Sequence, residues 1–210
     1  MALEREKTIR LNVLAASTLV TQALISYKKD HDGLHFRLIQ NSQCEDADIT
    51  VFTRENFQIP ADTKERYELF KERIFLAVPH NSPYASEESV RLQDFAHEDF
   101  ISLSGSRSIR TICDRYCMQA GFVPHIIYES DSPDTVKNLI ASGLGVGFWP
   151  HYTWGMDSME QIRLLPIAEP TCQRAIILQL HRHARGQEAV CSFYAFLNRY
   201  LRQLKAAEQH

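Results

Sequence analysis

The sequence has no long hydrophobic run and no apolar leader. No window approaches the roughly 20 consecutive apolar residues that a membrane-spanning helix needs. The first ten residues are charged rather than apolar, unlike the start of a signal peptide. We therefore expect a cytoplasmic protein that makes no contact with a membrane.

An excess of basic charge is also missing. The formal net charge is -3, whereas a surface that neutralises several DNA phosphates needs clustered lysine and arginine. We therefore expect that this stretch of chain does not itself bind nucleic acid.

Paired cysteine motifs and the common catalytic motifs are absent. The five cysteines form an odd set without C-x-x-C spacing, which argues against a disulfide framework and a zinc site. His181 and His183 lack a nearby third ligand, so they are weak evidence for a metal. No G-x-S-x-G, H-E-x-x-H, P-loop or G-x-G-x-x-G motif occurs, and G-L-G-V-G at 143–147 precedes a predicted strand instead of opening a helix. We expect no cofactor, no metal and no enzymatic activity.

The composition that remains is that of an ordinary globular protein. Hydrophobic residues make up 44% and charged residues 23% of 210 residues, with only 8 glycines and 8 prolines. This length suffices for two small lobes that each bury a core.

The first half alternates strand and helix patterns. Apolar residues alternate over 8–14, and a helical stripe then begins at Leu19, with Ser17 or Thr18 placed to cap its first turn. Strands are predicted at 34–40, 48–52 and 67–78, the last ending at Pro79.

The second half repeats this order of elements. Strands are predicted at 100–103, 125–129, 145–149 and 175–180, and helices at 109–120, 133–140 and 187–205. Gly121 and Gly143 stand where glycine ends a helix, and Pro133 is placed at a first helical position. The stretch between Pro150 and the strand at 175 is predicted as mostly loop. Such alternation predicts an α/β fold with mainly parallel sheets.

The order of these elements, together with several local motifs, resembles the effector-binding domain of LysR-type transcriptional regulators over nearly the whole chain. The segments that carry the likeness are I-R-L-N-V-L-A-A-S-T-L at 9–19, R-I-F-L-A-V-P-H-N-S-P-Y-A at 73–85, V-R-L-Q-D-F at 90–95, and the stretch from A-G-F-V-P to G-V-G-F-W-P at 120–150.

The resemblance implies two Rossmann-like lobes joined by two crossing strands, like a periplasmic binding protein of type 2. Lobe I would comprise 7–78 plus 175–210, and lobe II 79–174. The N-terminal winged helix-turn-helix of the family is absent from this chain, so contact with DNA is expected only through that missing domain. The resemblance also implies a homodimer or homotetramer. Apolar Leu19, Val20 and Leu24 suit either such an interface or the core.

One departure from the family concerns the first lobe. A helix usually follows the second strand, but only seven residues separate Gln40 from Asp48. We expect that helix to be deleted or reduced to a turn, which leaves open how this side of the lobe is covered.

Two helix openings are the candidate ligand site. Ligands of open α/β sheets bind outside the carboxyl ends of the strands, where unpaired N–H groups and the helix dipole attract anions. Such openings occur at Ser17 and Thr18 and at Ser104, Gly105 and Ser106. We expect them to face each other across the cleft between the lobes and to hold a small effector, most simply a carboxylate.

Three further residues or pairs are weaker candidates. Asn41, at the end of a predicted strand, is either a ligand contact or simply a turn residue. Phe148, after the glycine-rich segment, either lines the site or belongs to the core. Cys113 and Cys117 share a helix face and, by resemblance to peroxide-sensing members of the family, offer a redox pair. Their spacing differs from that of those members, however, and both cysteines lie on the apolar stripe of the helix, so buried packing is the favoured interpretation.

The sequence therefore predicts a ligand-sensing regulatory domain that passes lobe closure to a DNA-binding domain. A stand-alone solute-binding protein is one alternative. A cysteine-based redox sensor or enzyme is another, with Cys113 or Cys117 as the reactive group.

Overall fold

The structure is a computed structural model that describes residues 7–40, 42–104, 108–155 and 160–207. The chain forms two compact units. Unit 1 contains Met1–Lys71 and Ala175–His210, and unit 2 contains Glu72–Arg174. The first boundary lies inside a strand, seven residues before the turn at Pro79 where the sequence analysis placed it.

Unit 1 is built on a sheet with the strand order β2-β1-β3-β10. Its elements are β1 (Lys7–Val13), α1 (Ser17–Lys28), β2 (Leu34–Gln40), β3 (Ile49–Arg54) and α5 (Glu188–Ala207). Strands β4 (Arg66–Pro79) and β10 (Gln173–Leu180) each start in one unit and end in the other. They are the two crossing strands.

Unit 2 contains the remaining elements. They are β5 (Val90–Arg91), β6 (Asp99–Leu103), α2 (Ser108–Gln119), β7 (His125–Ser130), α3 (Pro133–Ala141), β8 (Gly147–Pro150), α4 (His151–Trp154) and β9 (Ile162–Glu169). Strand β4 pairs with β8 and β9, β5 pairs with β9, and β6 pairs with β7.

The sheets are mixed, so the prediction of mainly parallel pairing is only half right. Strand β1 runs parallel to β2 and β3, and β6 runs parallel to β7. Strand β10 runs antiparallel to β3, and β4 runs antiparallel to β8 and β9. Alternating helix and strand patterns predict βαβ units, in which the strands are parallel. They do not predict the antiparallel pairing of β4 and β10, the strands that connect the two units. The predicted loop after Pro150 also contains β9.

Residues 42–47 contain a turn and no helix, in agreement with the short spacing in the sequence. The buried Asn12 fastens this loop, because its amide nitrogen donates to the carbonyls of Ile39 and Ser42 and its oxygen accepts from the N–H of Cys44. Arg10, on the same face of β1, bonds the carboxylate of Asp48. A hydrogen-bonded loop therefore covers the polar face of β1.

The opposite face of the unit 1 sheet is covered by helices α1 and α5. Phe36 of β2 packs against Phe193 of α5, and Phe193 also packs against Tyr27 of α1, with ring centroids 4.9 and 5.1 Å apart. Leu19 and Val20 are buried in this core. Burial favours the core role for Leu19 and Val20, whereas Leu24 is half-buried, and the subunit interface stays a prediction.

The predicted helix signals in unit 2 agree with the structure. Gly121 and Gly143 have φ of 89° and 78°, the left-handed conformation that a helix-ending glycine adopts. Ser132 caps α3 through a hydrogen bond from the N–H of Thr135, and Pro133 is the first helical residue.

Candidate functional site

The opening of α1 contains N–H groups that the helix itself does not use. The first helical hydrogen bond runs from the N–H of Val20 to the carbonyl of Ala16 at 3.0 Å, so the N–H groups of Ser17, Thr18 and Leu19 precede it. Ser17 and Thr18 are exposed. The predicted capping role of Ser17 or Thr18 is wrong, because the cap position is Ala16 and both hydroxyls belong to the first helical turn.

Ala16 has an unusual backbone conformation. Its φ of 58° and ψ of 35° are left-handed, which is uncommon for a residue with a Cβ. A left-handed residue followed by helical residues turns successive N–H groups to one side, as in an anion-binding nest. Strained backbone of this kind concentrates at functional sites. The geometry of this turn therefore supports Ser17 and Thr18 as ligand contacts.

The second predicted opening is described in part. Ser104 follows β6 and is half-buried, and its N–H donates to the carbonyl of Ser130 at 2.8 Å. That N–H is therefore used within unit 2. Gly105 and Ser106 lie outside the described residues, as does Asn41.

A depression in unit 2 lies beside this opening. It encloses about 250 Å³, including space open to solvent, and its interior has room for about one water molecule. Its lining consists of Ile101, Ser102, Leu103, Ile109, Arg110, Cys113, Val136, Phe148 and Trp154. Phe148 thus forms part of the wall of this depression within unit 2, and its role as a ligand contact stays a prediction. Ser102, Arg110 and Trp154 were not predicted as site residues.

The charge of Arg110 is already compensated. Its Nε donates to a carboxylate oxygen of Asp114 at 2.7 Å, and its Nη1 donates to the carboxylate of Glu129. Two carboxylates around one guanidinium leave a net negative charge. The depression is therefore suited to an uncharged part of a ligand rather than to its anionic group.

Trp154 is held in place from two directions. The Nζ of Lys137 donates to the carbonyl of Trp154 and lies 5.5 Å from the centroid of its ring. The ring also packs edge-on against Trp149, with centroids 5.3 Å apart. Trp149 is 1% exposed, and its indole N–H donates to the carbonyl of Gly155 at 2.7 Å.

A buried ion pair is hydrogen-bonded to Thr153, the residue that precedes Trp154. Glu72 and Arg174 are 0% and 3% exposed, and the Nε of Arg174 donates to Glu72 Oε2 at 2.6 Å. The N–H of Thr153 donates to Glu72 Oε1 at 2.5 Å, and its hydroxyl donates to Glu72 Oε2 and accepts from Arg174 Nη2. Glu72, Thr153 and Arg174 all belong to unit 2. Arg174 is the only charged residue of β10, which is a signal for a buried ion pair, whereas Glu72 is one of five charged residues of β4 and is not singled out by its strand.

The cysteines of α2 have unreactive surroundings. Burial, with smaller contributions from Cys172 and Cys117, raises the pKa of the Cys113 thiol well above its usual value. Burial and the nearby Asp114 carboxylate raise the pKa of Cys117 to about 12. A thiol with so high a pKa forms little thiolate at neutral pH. The structure favours packing over redox chemistry for both.

Thiol labelling tests this assignment. Addition of Ellman's reagent to the native protein at pH 8 should modify at most Cys44 and Cys191 rapidly, because these two are half-buried whereas Cys113, Cys117 and Cys172 are buried. All five thiols should react in urea. The variant with Cys44→Ser and Cys191→Ser should show no fast phase. Rapid modification of Cys113 or Cys117, located by peptide mass spectrometry, would restore the redox interpretation.

The histidine pair lies in a polar cluster of unit 1. His181 Nε2 is 2.8 Å from the Thr50 hydroxyl, and the rings of His181 and His183 stack with centroids 5.9 Å apart. Burial lowers the pKa of His181. Within the part of the chain that the structure describes, no group of three or more histidine, cysteine or acidic side chains is placed to hold a metal ion.

None of the helices in the described ranges is long and apolar enough to cross a membrane.

Comparison with known proteins gives consistent results. The family model of the LysR substrate binding domain matches residues 3–202. The transcriptional dual regulator GltC of Bacillus subtilis is 25% identical over 200 residues, which cover 90% of this chain and 65% of GltC. The chain thus spans a little more than half to about two thirds of the length of the curated relatives that it matches first.

Solved structures support the same fold. The effector binding domain of QuiR in complex with shikimate has a TM-score of 0.73 at 18% identity, covering 94% of this chain and 98% of QuiR's. The Synechocystis PCC6803 CcmR regulatory domain in complex with 2-PG has a TM-score of 0.78 at 15% identity, covering 91% and 96%. The predicted α/β fold, like that of type 2 periplasmic binding proteins, is confirmed. The chain belongs to the LysR substrate-binding domain family, a family of transcriptional regulators rather than enzymes.

Proposed function

We propose that this chain is the ligand-sensing regulatory domain of a cytoplasmic LysR-type transcription factor. Its effector is a small anion, most simply a carboxylate, and DNA is bound by a winged helix-turn-helix that is not part of this sequence. Two structural neighbours were solved with small ligands, shikimate and 2-PG, which supports an effector of similar size. The working assembly is a homodimer or homotetramer.

The opening of α1 is the observation that carries the proposal. Three successive N–H groups, from Ser17 to Leu19, precede the first helical bond next to the left-handed Ala16. The positive end of the helix dipole adds to their attraction for an anion. On this proposal Ser17, Thr18 and Asn41 bind the effector from unit 1, and Ser104, Gly105, Ser106 and Phe148 bind it from unit 2.

Binding must distinguish two states of the domain to act as a signal. An effector shifts such an equilibrium only by the difference between its affinities for the two states, typically a coupling of about 1–3 kcal/mol. The crossing strands β4 and β10 are the covalent route by which a change in one unit reaches the other.

A thermal-shift screen tests the proposal. The panel should contain small carboxylates, amino acids and aromatic acids, with shikimate and 2-PG included. A true effector at 100 times its Kd adds about 2.7 kcal/mol to the free energy of unfolding. If no anion of the panel stabilises the domain, the proposal is wrong.

A charge placed in the α1 opening gives a sharper test. Thr18→Asp should stabilise the ligand-free domain by about 0.3–1 kcal/mol, because a carboxylate at a helix start favours the dipole. The same carboxylate should repel the effector and abolish its thermal shift. Gln22→Asp, one turn later on the exposed face of α1, is the matched control and should keep the shift. Equal ligand responses in both variants would place the anion elsewhere.

A further inference from the structure

We propose that Trp154 is the wall against which the flat, uncharged part of the effector packs, so that the effector is a carboxylate with an aromatic or similarly planar ring. Glu72 is the positioning residue that holds this wall in place through Thr153. This inference rests on the proposed function and deepens it.

The lining of the depression defines the ligand part that it accepts. Seven of its nine side chains are apolar or a thiol, and two of these, Phe148 and Trp154, present aromatic rings. The cation of Arg110 is compensated by Asp114 and Glu129, so a second anion has no partner here. Since only about one water molecule fits inside, a ring would cover the mouth and insert no more than an edge or a small substituent.

The wall is fixed before any ligand arrives. Lys137 bonds the carbonyl of Trp154 and lies over its ring, and Trp149 packs against the ring edge. The preceding residue, Thr153, gives both its N–H and its hydroxyl to the buried carboxylate of Glu72. A contact surface whose side chains are already immobilised loses little conformational entropy on binding.

The same bonds connect the wall to the crossing strands. Glu72 is the first residue of unit 2 on β4, and Arg174 is its last residue on β10. Arg174 bonds both Glu72 and the Thr153 hydroxyl. A ligand that contacts Trp154 therefore contacts a segment that is hydrogen-bonded, through Thr153, to both β4 and β10. These are the two strands through which the chain leaves unit 2.

Intrinsic fluorescence isolates this site, because Trp149 and Trp154 are the only two tryptophans of the chain. Benzoate serves as the aromatic carboxylate and acetate as a carboxylate without a ring. Benzoate should change the emission saturably and bind at least about tenfold more tightly than acetate. In Trp154→Leu the affinity for benzoate, measured by calorimetry, should fall about two- to tenfold, the contribution of an aromatic contact. Tyr128→Leu, a change at an exposed aromatic residue of unit 2 that is not part of the lining, should keep the benzoate affinity.

Thr153→Val tests the positioning role without removing a buried charge. This change deletes the hydroxyl bonds to Glu72 and Arg174 and keeps the N–H bond to Glu72. Binding of benzoate should weaken several-fold while binding of acetate is unchanged, and Thr153→Ser should restore the parent value. A purely structural role would lower the melting temperature and leave the ratio of the two affinities constant, which would overturn the assignment of Glu72.

The inference and the proposed function fail in different ways. If benzoate leaves the emission unchanged, or if Trp154→Leu binds it as well as the parent, the aromatic wall is wrong. A thermal shift from a non-aromatic anion of the screen would then leave the sensor function standing. If no anion of either kind binds, both are wrong.

Discussion

Arg174→Met is expected to lower the free energy of unfolding by about 3–5 kcal/mol, the usual result of removing one member of a buried ion pair. The change leaves the Glu72 carboxylate, which is 0% exposed, with only the N–H and hydroxyl of Thr153 as donors. Because Arg174 is 3% exposed, no solvent is available to replace its hydrogen bonds. Urea unfolding followed by circular dichroism measures the loss.

A double variant separates charge burial from loss of packing. Glu72→Leu combined with Arg174→Met removes both charges and should cost clearly less than Arg174→Met alone. In the double variant the Thr153 N–H loses its acceptor, and a buried donor left without a partner costs about 1–3 kcal/mol. Arg91→Met is the matched control, since its exposed pair with Asp94 contributes about 0–1 kcal/mol. A double variant as unstable as the single one would show that shape, and not charge, dominates at this position.

Local patterns predicted most of the fold. Strand β2 was predicted with its observed bounds, Leu34–Gln40, because its residues alternate between a covered and an exposed face. Helices α2 and α3 were placed within two residues at either end, since the apolar stripe coincides with cap residues and a closing glycine. These signals are local, and the sequence contains them directly.

Features that depend on distant residues were not predictable in the same way. Glu72 and Arg174 are 102 positions apart, and no spacing rule brings them together. The two-residue β5 and the four-residue α4 are too short to show a period. Of the two aromatic residues that line the depression, Phe148 was a candidate because it follows a glycine-rich segment, whereas Trp154 was not, because its segment looked like loop.

Ala16 shows why a correct motif led to a wrong role. Ser17 and Thr18 were placed at the start of the helix, which is their observed position. Serine and threonine are the usual caps, so a capping role followed from residue type. The structure instead starts the helix from a left-handed alanine, which has no side-chain acceptor to offer. The hydroxyls of Ser17 and Thr18 are therefore not at the cap position. Because they are not used as caps, they are stronger candidates for ligand contacts.

Phe193→Ala is expected to lower the free energy of unfolding by about 3–5 kcal/mol, as for other fully buried phenylalanines. The Phe193 ring is fully buried and contacts the rings of Tyr27 and Phe36, so it joins α1, β2 and α5. With no helix between β2 and β3 in the described residues 42–47, unit 1 depends on these aromatic contacts on one face and a hydrogen-bonded loop on the other. Urea unfolding followed by far-ultraviolet circular dichroism measures the effect.

Phe196 provides the control on the same helix. Its ring is half-buried and lies 4.9 Å from that of Tyr27, so Phe196→Ala removes less buried surface and should cost clearly less than Phe193→Ala. Phe193→Leu keeps most of the volume and should recover much of the loss. Equal losses of stability in the two alanine variants would mean that the buried aromatic contacts of Phe193 contribute no more than the half-buried contact of Phe196. The proposal that these buried contacts stabilise unit 1 where a helix is missing would then be wrong.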